Sequence, residues 1–232
     1  MTTTDTILEN LHENANPTAV DGMKKYGITP SDALGVSIPV LRSIAKDTGK
    51  DHELALALWE IDLRETRILA SMVDEPTKVT TEQMDMWVGD FDYWEICDQC
   101  CMNLFEKTSL AWHKAFEWSG KQEEFVKRAG FVMMARLAVS DKQAPDEAFL
   151  AFFPVIEREA VDGRNMVKKA VNWALRQIGK RSLYLNKRAT ECAERIGEID
   201  SKSAGWIASD ALRELRSEKV LERLKSKVVK NH

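Results

Sequence analysis

The sequence predicts an all-α fold, an α-solenoid of antiparallel helix pairs forming a single domain over residues 1–232. Three observations predict it. Almost every segment repeats its apolar residues at a helical period, and runs with strand alternation are absent. Most of the connections between these segments are two to six residues long, as helix hairpins require. Finally, Phe125-Val126-Lys127-Arg128-Ala129 aligns with Met166-Val167-Lys168-Lys169-Ala170, and Ala211 continues the spacing, so that Ala129, Ala170 and Ala211 stand 41 residues apart.

The elements follow in order from these signals. A first helix is expected over 4–14. Asn16-Pro17 supplies an N-cap and a first-turn proline for 17–26, which Gly27 ends. Ser37 before Ile38-Pro39 opens 38–48, and Gly49 closes it. Apolar periodicity then places helices over 51–60, 62–73, 81–88, 92–105, 109–119, 122–139, 146–161, 164–181, 184–198, 202–216 and 218–229. The 41-residue spacing lies within the range of two-helix HEAT repeats. Each such unit has an apolar face that only a neighbour can bury, so stacking is expected to give a curved solenoid with a concave surface. Lys127, Arg128, Lys168 and Lys169 would then occupy equivalent places on successive units, a row of cations along one face.

With 44% hydrophobic and 30% charged residues and a mean hydropathy of -0.35, the composition is that of a soluble globular chain. No apolar run approaches the roughly 20 residues that a bilayer demands. The opening MTTTDTILENLHENA has neither a basic nor an apolar leader region. The expectation is a cytoplasmic monomer with no membrane association. The formal charge of -4 is split: residues 1–120 carry 10 basic and 21 acidic side chains, residues 121–232 carry 23 and 16. The second half could face a polyanion, although a solvated basic side of a solenoid would give the same count.

Cys97, Cys100 and Cys101 fall in WEICDQCC, and Cys97-x2-Cys100 has metal or redox spacing. Read as a helix, however, Tyr93, Cys97, Cys100, Cys101 and Leu104 form one stripe, so the thiols read as small buried hydrophobes. No second ligand pair accompanies them and the four histidines are scattered, so neither a metal nor another cofactor is expected.

Of seven tryptophans, Trp59, Trp87, Trp112, Trp118 and Trp206 lie among aliphatics and read as structural. Trp94 and Asp98, at i and i+4, turn together onto the face beside the cysteine stripe. Trp173 lies off the centre of the stripe Val167, Ala170, Val171, Ala174, Leu175, beside Lys169. On spacing alone Asp98 reads as a helix-surface acid and the two indoles as core. Asp90, Asp92 and Glu95 read as capping or solvated acids at the start of 92–105.

The runs FDYWEICDQC, EEFVKRAGFVMMARLA and NMVKKAVNWALRQIGKRS closely resemble, in the same order, helices of the AlkD-like DNA alkylation repair glycosylases, a HEAT-like family. The stretch MKKYGITPSDALGVSIPVLRSIAK resembles that family's opening. The resemblance implies that Asp98 is the catalytic carboxylate, that Trp94 and Trp173 line the deoxyribose, and that Arg128 contacts the neighbouring phosphate. It further implies Tyr26 as a DNA contact and double-stranded DNA containing alkylated bases as the partner. The implied activity is excision of N3- or N7-alkylated purines without drawing the base into a pocket.

Such chemistry suits these residue types. A purine alkylated at N3 or N7 is cationic and leaves without a general acid, so what needs stabilising is positive charge on the sugar. A carboxylate near the anomeric carbon stabilises an oxocarbenium-like transition state and can deprotonate the attacking water. Indole faces add cation–π stabilisation of about 0.5–2 kcal/mol each. A guanidinium holds the phosphate and screens the carboxylate. Lys127, Lys168, Lys169, Arg176, Lys180 and Arg181 extend the expected positive surface. The alternative is a HEAT-like module that binds DNA structures or a protein without catalysis, which needs the basic row but not the carboxylate; a scaffold for acidic peptides is a third reading.

Overall fold

The computed structural model of the chain describes residues 3–230. Among them are fourteen α-helices and no strand: α1 Thr4–Glu13, α2 Pro17–Met23, α3 Ile38–Thr48, α4 His52–Trp59, α5 Arg64–Val73, α6 Thr81–Gly89, α7 Trp94–Asn103, α8 Ala111–Ser119, α9 Glu124–Ser140, α10 Phe153–Glu159, α11 Asn165–Gly179, α12 Leu183–Gly197, α13 Lys202–Leu215 and α14 Glu218–Lys230. No helix among the described residues is long and apolar enough to cross a membrane.

The boundaries follow the local chemistry. Asn16 accepts the amide of Ala19 ahead of Pro17, and Gly27 ends the following 3-10 turn at a left-handed φ of 70°. Asp51, Thr80, Ser182 and Ser201 each accept an amide from the first turn of their helix. Several expected helices are shorter than their periodicity suggested, 146–161 and 92–105 among them. Residues 146–152 form a 3-10 helix, and the α-helix begins only at Phe153, because Pro154 lacks the amide that an interior position would need. Helix α7 begins at Trp94, since Tyr93 is extended.

The chain divides into two compact units, residues 1–110 and 111–232. In the first, α5 packs against α3, α4 and α7. Trp59 and Trp87 stack with ring centres 4.0 Å apart, flanked by Phe91 and Phe105. The cysteine stripe is buried as expected, with Tyr93, Cys97, Cys100, Cys101 and Leu104 all inside and its three cysteines in no disulfide. Burial pushes the Cys100 and Cys101 thiols well above their ordinary range, so they stay protonated.

This unit also has a period that was not apparent in the sequence. Ser31 bonds Asp62, Leu34 bonds Glu65, Trp59 bonds Asp90 and Arg64 bonds Glu95, each pair 31 residues apart. Glu95 is therefore neither a cap nor solvated: it is buried and takes two hydrogen bonds from Arg64, at 2.7 and 2.8 Å. Arg64 also binds Glu65, whose carboxylate accepts the amides of Leu34, Gly35 and Val36. Asp90 caps the end of α6 and accepts the Trp59 indole proton, whereas Asp92 is exposed.

In the second unit α9, α11 and α13 pack in succession, with α8 against α9 and α12 against α11 and α13. Ala129, Ala170 and Ala211, the markers of the 41-residue period, are all fully buried. Gly130 permits the closest approach, since a Cβ there would meet the Ser119 backbone nitrogen at 2.3 Å. Trp112, Phe149 and Phe152 pack ring to ring, and Trp112 donates to Asp141.

Candidate functional site

Helix α7 sorts its residues by face. Glu95, Ile96, Cys97, Cys100 and Cys101 are buried, which leaves Trp94 and Asp98 half-buried one turn apart at the edge of the core. The indole does not swing freely: its Nε1–H donates to the Tyr26 carbonyl at 2.8 Å, across 68 residues of chain. That carbonyl is set by the 3-10 turn Lys24–Tyr26 and its left-handed stop at Gly27. Tyr26 is 75% exposed, so its ring stands in solvent while its backbone holds Trp94. The first unit thus brings Tyr26 and Trp94 into contact, with Asp98 on the same helix face as the indole.

Arg128 and Trp173 belong to the second unit. Arg128, on α9, is 6% exposed and donates from Nη1 to the Met166 carbonyl at 2.7 Å, which ties it to α11 two turns before Trp173. Trp173 is half-buried beside the apolar stripe of α11. Trp94, Asp98 and Trp173 therefore each lie at the boundary between core and surface of their own unit, whereas Arg128 is buried.

The expected row of surface cations is largely consumed internally. Lys127 is buried, at 2.6 Å from Glu159 and 3.4 Å from Asp162. Although burial opposes ionisation of these acids, hydrogen bonds from Lys127 and Arg158 hold Glu159 below the usual carboxylate range, and those from Arg164 do so for Asp162. Arg176 bridges Asp210 and Glu214, and Lys180 pairs with Glu214 at 2.7 Å. Arg181 binds Asp146 and the carbonyls of Ala138, Asp141 and Ala144 and lies over the Phe149 ring. Lys127, Arg176, Lys180 and Arg181 thus fasten elements of their own unit together, where a row open to phosphate was expected. Lys169 is exposed, and Lys168 sits over the Trp206 ring at 4.9 Å from its centre. Trp206, expected in the core, is 41% exposed. Its sequence neighbours Ala204, Ile207 and Ala208 are buried, but it stands beside Gly205 on the outward side of α13, a phase that the helical period alone could have indicated.

Among the described residues no cluster of His, Cys, Asp or Glu is arranged to hold a metal ion. The first unit offers a half-buried carboxylate beside a half-buried indole, and the second a half-buried indole and a buried guanidinium.

Comparison with known proteins bears on the fold and the family. The chain is similar to an uncharacterized protein of Listeria innocua serovar 6a, 23% identical over 203 residues and covering 86% of this chain and 88% of that protein. Its fold matches a solved structure described as a new family of proteins related to the HEAT-like repeat DNA glycosylases with affinity for branched DNA structures. The TM-score is 0.75 at 17% identity, over 92% of this chain and 95% of the other. The sequence profile described as DNA alkylation repair enzyme matches residues 7–215, and the chain accordingly belongs to the DNA alkylation repair enzyme family.

Proposed function

We propose that the protein is a monofunctional DNA glycosylase that hydrolyses the N-glycosidic bond of N3- or N7-alkylated purines in double-stranded DNA, acting as a monomer without a cofactor and without drawing the base into a pocket. The observation that carries this reading is the pairing of Trp94 and Asp98 on one face of α7, with the indole fixed by the Tyr26 carbonyl. In this mechanism the C1′–N bond of the cationic purine breaks and its electron pair neutralises the departing base. Positive charge left on the sugar is met by the Asp98 carboxylate and the faces of Trp94 and Trp173. Water adds to C1′, and Asp98 takes its proton. Because the leaving group is already charged, no acid is needed on the other side of the bond. Arg128 would hold a phosphate next to the lesion.

Release of 7-methylguanine from methylated duplex DNA tests this directly. Wild type should release base, and Asp98→Asn should lose most of that rate, by about 10²-fold or more. No release by wild type, or equal rates, sinks the assignment. The second reading, a non-catalytic module for DNA structures, is favoured by one observation, the described affinity of the structural neighbour for branched DNA. A four-way junction bound equally well by wild type and Asp98→Asn, with no base released from any substrate, would select it.

A further inference from the structure

The first unit is strongly acidic, with 20 Asp and Glu against nine Lys and Arg. Four of those nine cations nevertheless meet in one place. A cleft of about 340 Å³ at the C-terminal ends of α3, α5 and α7 is lined by Arg42, Lys46, Lys50 and Lys107 around Met72 and Asn103. No carboxylate lines it.

The arrangement has a cost that an anion would remove. Arg42 and Lys46 are one turn apart on α3, where like charges oppose each other. Lys50 donates to the carbonyls of Met72 and Asp74, both at 2.8 Å, and Lys107 to that of Asn103 at 2.6 Å. These bonds satisfy carbonyls at helix ends and fix both ammonium groups at the mouth. Burial and then the nearby Lys107 charge lower the Lys50 pKa, and the Asp74 and Glu75 charges offset this only in part. Capping accounts for Lys50 and Lys107 but not for Arg42 and Lys46, which are exposed on α3 and face the same space.

We infer that this cleft binds phosphate groups of a nucleic-acid strand, a backbone-holding site in the acidic unit. It rests on the proposed action on DNA and adds a contact in the carboxylate's own unit. Asn103 lies five residues beyond Asp98 on α7, about 7.5 Å along the axis. That is about two base-pair rises along the axis of a duplex. A strand passing Asp98 would otherwise run over a surface of net negative charge, and the cleft supplies the local cations to hold it there.

The test uses the full chain with Arg42→Gln/Lys46→Gln, both exposed, and Lys78→Gln as a charge control outside the cleft. Binding of undamaged, fluorescently labelled duplex is measured by anisotropy across a salt series. The double variant should bind about tenfold more weakly, and its log–log salt slope should be shallower by roughly 2, with Lys78→Gln close to wild type. Affinity and slope equal to wild type would overturn the inference. So would equal losses in the control, which would mean that only net charge matters. A thermal-shift arm with inorganic phosphate distinguishes the source of the ligand: stabilisation of wild type and not of the double variant, with DNA binding unchanged, would assign the cleft to a small phosphate and overturn the strand-binding claim. Base release by wild type and Asp98→Asn is scored separately, so a protein that releases no base yet loses duplex binding in the double variant keeps the cleft and loses the glycosylase reading.

Discussion

Helix α7 carries two carboxylates three residues apart whose substitution should have opposite consequences. Glu95 is buried against Arg64, and removing it leaves a guanidinium without its main partner inside the protein. Glu95→Ala should cost about 3–5 kcal/mol, the range for breaking a buried ion pair. In a thermal melt that is a drop of order 10 °C. Asp98 stands at the edge of the core, and Asp98→Asn, nearly the same size, should shift the melt by no more than about 2 °C while losing most of the base release. A stable Glu95→Ala or an unstable, active Asp98→Asn would reverse the two roles. Only half of this contrast was legible in the sequence. The phase of α7 separated Asp98 from the cysteine stripe, but a first-turn Glu ordinarily caps or faces water, and nothing local announces a partner 31 residues earlier. The same blindness applies to Trp94, whose indole is held by a backbone carbonyl 68 residues away.

Between helices, the packing depends on small residues and on buried charge. Gly130→Ala places a methyl against the Ser119 backbone, so α8 and α9 must move apart, at about 1–3 kcal/mol, more than the roughly 1 kcal/mol that alanine contributes to an exposed helix. Gly205, exposed within α13, has nothing near its missing Cβ, and Gly205→Ala should stabilise by about 0.5–1 kcal/mol. Urea midpoints of the two variants should therefore move in opposite directions. The junction of α9, α10 and α11 adds an acid sensitivity. Glu159 and Asp162 are held below the usual carboxylate range in the folded state, so their stabilisation is complete above about pH 4–5 and is lost as pH falls through the lowered values. The urea midpoint should fall between pH 6 and pH 3, and fall less in Lys127→Met, where part of the Glu159 stabilisation is already gone while Arg158 and Arg164 still hold the two acids. The helix positions were legible because caps, glycines and short loops mark them locally. So was the 41-residue period, because small apolar residues carry it. The 31-residue period of the first unit escaped because its markers are polar side chains whose identity changes from copy to copy and whose meaning lies in the bond they make.

Across the whole molecule, charge misleads at two levels. The net value of -4 conceals nine cations against 20 acids in residues 1–110 and 24 against 17 in residues 111–232. The second unit's surplus of cations in turn conceals how many are already engaged, since Lys127, Arg176, Lys180 and Arg181 are bound to carboxylates of their own unit. A count of basic residues is therefore a poor guide to DNA affinity, and the number of cations able to exchange counterions for phosphate is the useful quantity. The two views give different numbers for a salt titration. If all the expected cations of the second unit touched phosphate, Arg176→Gln/Lys180→Gln would flatten the log–log slope of duplex binding as much as Lys168→Gln/Lys169→Gln, by roughly 2 in each case. The structure separates them. Replacing Lys168 and Lys169 should flatten the slope by roughly that amount with little change in stability, because Lys169 is exposed and Lys168 rests on a half-exposed indole. Replacing Arg176 and Lys180 should leave the slope near the wild-type value and lower the melting temperature instead, because Asp210 and Glu214 lose the cations that neutralise them between α11 and α13. Equal slopes for the two double variants would mean that the internal ion pairs open when DNA arrives, and that the second unit uses its full charge after all.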